Sequence, residues 1–218
     1  MGDSKGKNNL KTLIETNANK GNPQAGEIAG ALSPSRHLKN HHLQNTWTLW
    51  LLNTDLGQSW EDRLNQIASF STVNQFWSVY YRIEPPSKLK LGSDYSLFKK
   101  NIRPMWEDPT NIQGGRWLII VRGTSKDELD IIWLDVMLCL IGEACDHCDQ
   151  ICGAVVRIRN KVSKVSIWTN DAKDEDAILE IGYKLREVVR MGNNNTLQYR
   201  VHKKTDCSGS GSLFLPQK

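Results

Sequence analysis

Trp106 and Glu107 stand side by side in Pro104-Met105-Trp106-Glu107-Asp108-Pro109, a stretch closed by proline at both ends. Proline fixes its own backbone and restricts the residue before it, so the stretch reads as a short constrained loop. A flat indole followed at once by a carboxylate suits a planar, electron-poor ligand that donates hydrogen bonds. Guanine methylated at N7 is such a ligand. Its positive charge is attracted to an indole face, and its N1–H and exocyclic amine offer two donors that one carboxylate accepts. Taken alone, the pair reads more readily as a half-buried surface anchor beside a solvated charge.

Residues of matching chemistry lie elsewhere in the chain. Trp60 falls in the polar loop Gln58-Ser59-Trp60-Glu61-Asp62, where an aromatic has little local core to join and an exposed stacking role is expected. Val155 to Arg159 and Val162 to Thr169 read as two strands joined by a basic turn. Alternation puts Arg157 and Arg159 on one face of the first, and Lys164, Ser166 and Trp168 on one face of the second. Such a face suits phosphates beside an aromatic; the plain alternative is a solvated strand face. Cys145, His147, Cys148 and Cys152 are four possible metal ligands within eight residues. They lack the paired, well-separated spacing of structural zinc sites, so no metal is expected.

Holding these residues requires a frame, and the apolar pattern supplies one. Trp47, Leu49 and Leu51 alternate with Thr48 and Trp50 as a strand, and Ile67 to Phe70 is a short strand. Thr72-x-x-Gln75 caps a helix reaching Tyr81, with Val73, Phe76, Trp77 and Tyr80 at helical spacing. Gly114-Gly115 turns the chain into a strand from Arg116 to Arg122, and Ser125-x-x-Glu128 is a capping box for the next helix. That helix carries a core stripe (Leu129, Ile132, Trp133, Val136, Met137, Leu140) and a second stripe, Leu134, Leu138 and Ile141. The second stripe is either covered by this chain or left as a docking surface. A last helix opens at Asp174 to Asp176, with Gly192 as its stop, and Leu197 to His202 is a final strand. Single helices between strands argue an α+β domain with its helices on one side of a mainly antiparallel sheet.

Six stretches then share an order and spacing: His41 to Trp47, Asp94 to Phe98, Arg103 to Asp108, Gly114 to Trp117, Leu138 to Glu143, and Cys152 to Val156. Over roughly residues 41 to 210 they resemble the eukaryotic translation initiation factor 4E family. The resemblance implies a curved, mainly antiparallel β-sheet with three helices on its convex face and the 7-methylguanosine cap of mRNA on its concave face. By resemblance, Trp60 and Trp106 sandwich the base, Glu107 bonds its edge and Trp168 lies against the methyl group. Arg159 and Lys164 hold the phosphates with support from Arg116. The implied dorsal surface comprises His41, Val73, Trp77, Leu134, Leu138 and Ile141. It receives a helix from a scaffold initiation factor of the 4G class or from 4E-binding repressor proteins. Ser210 falls where the family carries a regulatory phosphoserine. Three departures lie near the dorsal surface: His42 for proline, Asn74 for an acid, and Asp135 for a longer glutamate.

The expected organisation is a disordered tail over residues 1–40, a cap-binding domain over 41–207 and a flexible tail over 208–218. The tail's Asn, Lys, Gly and Ser cannot offset ordering entropy by burial. Eight tryptophans are many for this size and favour a stacking role for a few of them, and a net charge of +4 leans mildly toward an anionic partner. Five cysteines without secretory context are expected to be thiols. No apolar run reaches membrane-spanning length and no signal-peptide core is present, so no membrane partner and a cytoplasmic place are expected, with the nucleus left open. The expected function is cap binding that promotes translation initiation, without cofactor or catalysis. Its alternatives are a cap-binding repressor that competes with the initiation complex and a cap-processing enzyme. Magnesium-spaced carboxylates, a phosphate-binding loop and a Cys/His nucleophile pattern, which an enzyme would need, are not found in the sequence.

Overall fold

Alternation of apolar and polar residues produces a single antiparallel sheet. The computed structural model describes residues 41–54, 57, 59–122, 126–160, 162–202 and 213–214. The expected N-terminal tail, Ser125 of the capping box, and Ser210 lie outside the described residues. The strands are β1 (His42–Leu52), β2 (Leu64–Thr72), β3 (Asp94–Lys99), β4 (Gly115–Val121), β5 (Ile151–Arg157), β6 (Ser163–Thr169), β7 (Thr196–Val201) and β8 (Leu213–Phe214). Their order across the sheet is β2-β1-β3-β5-β6-β4-β7-β8, with every pairing antiparallel. The class is α+β, with a curved open sheet.

One face of the sheet is apolar and covered by three helices: α2 (Val73–Tyr80), α3 (Lys126–Ile141) and α4 (Glu175–Val188). Leu97, Trp117, Ile119 and Ile167, all fully buried, meet Ile132, Val136, Ile178 and Ile181 there. Burying each such side chain contributes about 1.5–3 kcal/mol. Trp117 also donates its indole N–H to the Ile178 carbonyl at 2.9 Å, which fixes α4 over β4. Among the described residues, the opposite face carries only a small apolar cluster of Phe98, Cys152, Val155 and Trp168. It is therefore the face with room for a polar ligand.

Several local expectations change. Trp60 opens a one-turn helix, α1 (Trp60–Arg63), rather than lying in a loop, because the Ser59 hydroxyl accepts the Asp62 N–H. β2 runs the full length of its partner β1 rather than only Ile67 to Phe70. Helix α4 is capped by Asp174 and ends at Val188. Gly192 is not its stop: its N–H is donated to Glu128 of α3. Leu213–Phe214 pairs with β7, so the flexible tail expected from residue 208 contains a piece of the sheet.

Candidate nucleotide-binding site

Register decides which residues share the open face. Asp94, Arg157 and Lys164 are successive cross-strand partners on β3, β5 and β6. Phe98, Gly153, Trp168, Arg116 and Arg200 form a second row across β3, β5, β6, β4 and β7. Four residues of β6 separate the rows, roughly 13 Å of extended chain. Arginine and lysine at one end and tryptophan at the other thus lie a nucleotide's length apart.

The basic end is built on a residue that sequence reasoning missed. Asp94 is 4% exposed. It accepts from Arg159 at 2.7 Å and lies 3.5 Å from the Arg157 guanidinium. Burial raises its carboxyl pKa, and the Arg159 hydrogen bond pulls partly against that rise. A buried carboxylate between two guanidinium groups fixes their direction and leaves a surplus of positive charge, to which exposed Lys164 adds. Arg157, without an assigned role in the sequence, is one of the two groups that Asp94 orients.

At the other end, glycine makes an aromatic contact possible. A side chain at Gly153 would run into the Leu97 carbonyl and the Phe98 ring. Without one, Phe98 meets Trp168 edge-on across the strand, at 5.5 Å. Trp168 is 4% exposed, with His202 against it at 4.2 Å. Burial and the Arg116 charge lower the His202 pKa from 6.5 to about 4. Arg116, 3.4 Å from the His202 Nδ1, has its own pKa lowered by burial and by Arg157 and Arg200. A half-buried cation pressed by like charges favours an incoming anion.

This arrangement has a consequence for stability. Between pH 6.5 and about 4 the unfolded chain binds a proton at His202 that the folded chain refuses. Stability from this group is therefore full above pH 6.5 and falls as pH drops toward 4, by at most about 3 kcal/mol. The wild-type chain is expected to lose more stability than His202→Gln between pH 7 and pH 4.5 in paired urea titrations. Equal losses would mean that the imidazole stays accessible to protons.

The two aromatic loops differ in how they are held. Asp108 accepts the Arg103 and Thr110 N–H groups, while fully buried Asn111 donates to the Arg103 and Met105 carbonyls. Trp106 therefore stands 47% exposed on a loop fixed by its neighbours, not by its own burial. Trp60 is half-buried rather than exposed, and α1 is tied to the end of β1 by the N–H of the next residue, Asn53, donated to the Arg63 carbonyl. The triplet Trp-Glu-Asp occurs in both loops, and the structure separates the two glutamates. Glu61 lies 3.7 Å from Arg103, whereas Glu107 is exposed and has no hydrogen-bond or ion-pair partner among the described residues. Glu107 is the carboxylate free to take a ligand's donors.

A profile of the family described as Eukaryotic initiation factor 4E matches residues 42–213. The chain belongs to that family. It is 59% identical over 188 residues to eukaryotic translation initiation factor 4E1 of Drosophila melanogaster, covering 83% of this chain and 73% of the relative. A solved structure of Ascaris suum initiation factor 4E-3 with the m7G cap superposes with a TM-score of 0.75 at 42% identity. It covers 82% of this chain and 99% of that one. Caenorhabditis elegans initiation factor 4E-3 in complex with the 4E-binding protein Mextli matches at TM-score 0.72 and 45% identity, over 75% of this chain and 94% of that one.

The surface expected to dock a helix is only partly open. The His41 carbonyl accepts the Val73 N–H at 2.9 Å and so seats the start of α2. Val73 and Trp77 are half-buried, and Trp77 stacks with Tyr81 at 5.5 Å. On α3, Leu134 is half-buried and Leu138 is 37% exposed, but Ile141 is 6% exposed and belongs to the core. Ile141 is thus not part of the open stripe; Ile131, at 38% exposure and the same helical spacing, is. Asp135, expected at the rim, is 9% exposed and accepts three hydrogen bonds from Arg190, which hold its carboxyl pKa down against burial. Asp130 is likewise occupied, by the N–H and hydroxyl of Ser87.

The cysteine-rich loop after α3 is packed inward. Cys139, Cys145, Cys148 and Cys152 are buried thiols, and no metal-holding cluster occurs among the described residues. Burial pushes the Cys148 and Cys152 thiols up to about 12, so both stay protonated at neutral pH.

Proposed function

We propose that the open face binds the 7-methylguanosine cap of mRNA. The observation that carries this reading is the unpaired carboxylate of Glu107 beside half-exposed Trp106, on a loop locked by Asp108 and Asn111. Trp60 and Trp106 stack on the methylated base, Glu107 accepts its N1–H and amine, and Trp168 closes the pocket near the methyl group. Arg159 and Lys164 take the phosphates, with Arg116 behind them, since guanidinium and ammonium groups form charge-assisted bonds to phosphate. The protein is read as a binder rather than a catalyst: its buried carboxylate, Asp94, orients arginines instead of facing the ligand.

The cap-bound protein then promotes translation initiation by receiving an amphipathic helix of a 4G-class scaffold on the dorsal surface, where 4E-binding repressors compete for the same place. The solved relatives support both halves of this reading: Ascaris 4E-3 with the m7G cap, and Caenorhabditis 4E-3 with Mextli.

Fluorescence-quenching titration tests the cap half. 7-Methylguanosine triphosphate is expected to bind much more tightly than guanosine triphosphate, because only the methylated base carries the charge that indole faces attract. It should also outbind its own monophosphate, by a margin that shrinks as salt rises. Equal affinity for methylated and unmethylated nucleotide overturns the reading.

A further inference from the structure

We propose that the Glu61–Arg103 ion pair is a positioning device that holds the two tryptophan-bearing loops at stacking distance before ligand arrives. The proposal rests on the cap-binding reading above and names residues outside the expected pocket. Each partner immediately serves one loop. Glu61 follows Trp60 in α1, whose single turn is fixed by Ser59 and Asn53. Arg103 begins the Trp106 loop, and its backbone N–H and carbonyl are held by Asp108 and Asn111. With both backbones anchored, the side-chain contact at 3.7 Å spans the gap between the loops.

A four-residue helix and an irregular loop share no sheet hydrogen bonds across that gap. A stacked ligand must bridge both aromatic faces, so whatever limits their separation raises the fraction of protein ready to bind. The pair also explains the division between the two Trp-Glu-Asp triplets: Glu61 is engaged by Arg103, and Glu107 is left for the base. An exposed ion pair is weak, so the expected effect on binding is two- to fivefold.

The signs of two substitutions separate this role from simple charge. Glu61→Gln removes a negative charge and Arg103→Gln a positive one beside the same ligand, so electrostatics alone would move the two variants in opposite directions. Loss of the tether weakens both. The experiment is titration of the full chain with 7-methylguanosine triphosphate at low salt, using wild type, Glu61→Gln, Arg103→Gln and the swapped Glu61→Arg/Arg103→Glu. Two- to fivefold weakening in both single variants, with most affinity restored in the swapped protein, is the expected result. Unchanged or tighter binding by either single variant, or a swapped protein no better than the weaker single variant, overturns the tether. A wild-type protein that ignores the methylated nucleotide brings down the cap-binding reading instead.

Discussion

Trp106→Ala is expected to weaken binding of 7-methylguanosine triphosphate by about 1–3 kcal/mol, or roughly five- to 150-fold, the usual loss when one stacking aromatic is removed. The fold should be untouched. Trp106 is 47% exposed, and its loop is held by Asp108 and by the fully buried Asn111. Thermal unfolding of the variant should therefore match wild type while its quenching titration shifts. Because the remaining Trp60 face still attracts the methyl charge, preference for methylated over unmethylated nucleotide should narrow but persist. An unchanged dissociation constant would show that the base stacks elsewhere. Asn111→Ala makes the complementary case: it leaves the indole in place and frees the Arg103 and Met105 carbonyls from their shared donor, so affinity should fall through loss of loop order.

Much of this architecture can be read from the chain, because local rules and the final fold agree. Strand alternation places Trp117 and Ile119 inward and Arg116 outward without any knowledge of neighbours. Prolines mark the Trp106 loop, and Thr72 caps α2 as its spacing indicates. Failures occur where a residue's role depends on a partner distant in sequence. Asp94 is an ordinary acid until register puts it opposite Arg157, 63 positions later in numbering. Asp135 reads as a rim charge until Arg190 folds onto it. Helix α3 is apolar around most of its circumference, so periodicity cannot say that Ile141 turns inward and Ile131 outward. The helical turn at Trp60 did have a local signal: Ser59 two places before a pair of acids is an N-cap pattern. β8 had none, since a two-residue strand next to glycine and serine exists only through its pairing with β7.

Trp77→Ala is expected to remove most binding of a scaffold- or repressor-derived helix, by more than about 2 kcal/mol, as for aromatic anchors at the centre of an interface. Cap affinity should not change, because α2 lies on the helical side of the sheet and Trp168 and Glu107 on the other elements described above. Trp77 also packs with Phe76 and Tyr80, at 5.0 and 5.6 Å, so local repacking must be separated from lost contact. Leu138→Ala does this, since a side chain 37% exposed can be trimmed with little cost to the core and should still weaken the peptide. The charges around the groove sharpen the argument. Asp135 and Asp130 are occupied within the chain, so neither is free to meet a basic flank on the partner. Exposed Asn74 is the open position beside Val73, and Asn74→Glu should strengthen binding to peptides with basic flanks, mainly by faster association. Calorimetry with each peptide, run beside cap titrations of the same variants, gives the test. A wild-type protein that binds the methylated nucleotide yet neither class of peptide would leave a cap binder without an initiation role.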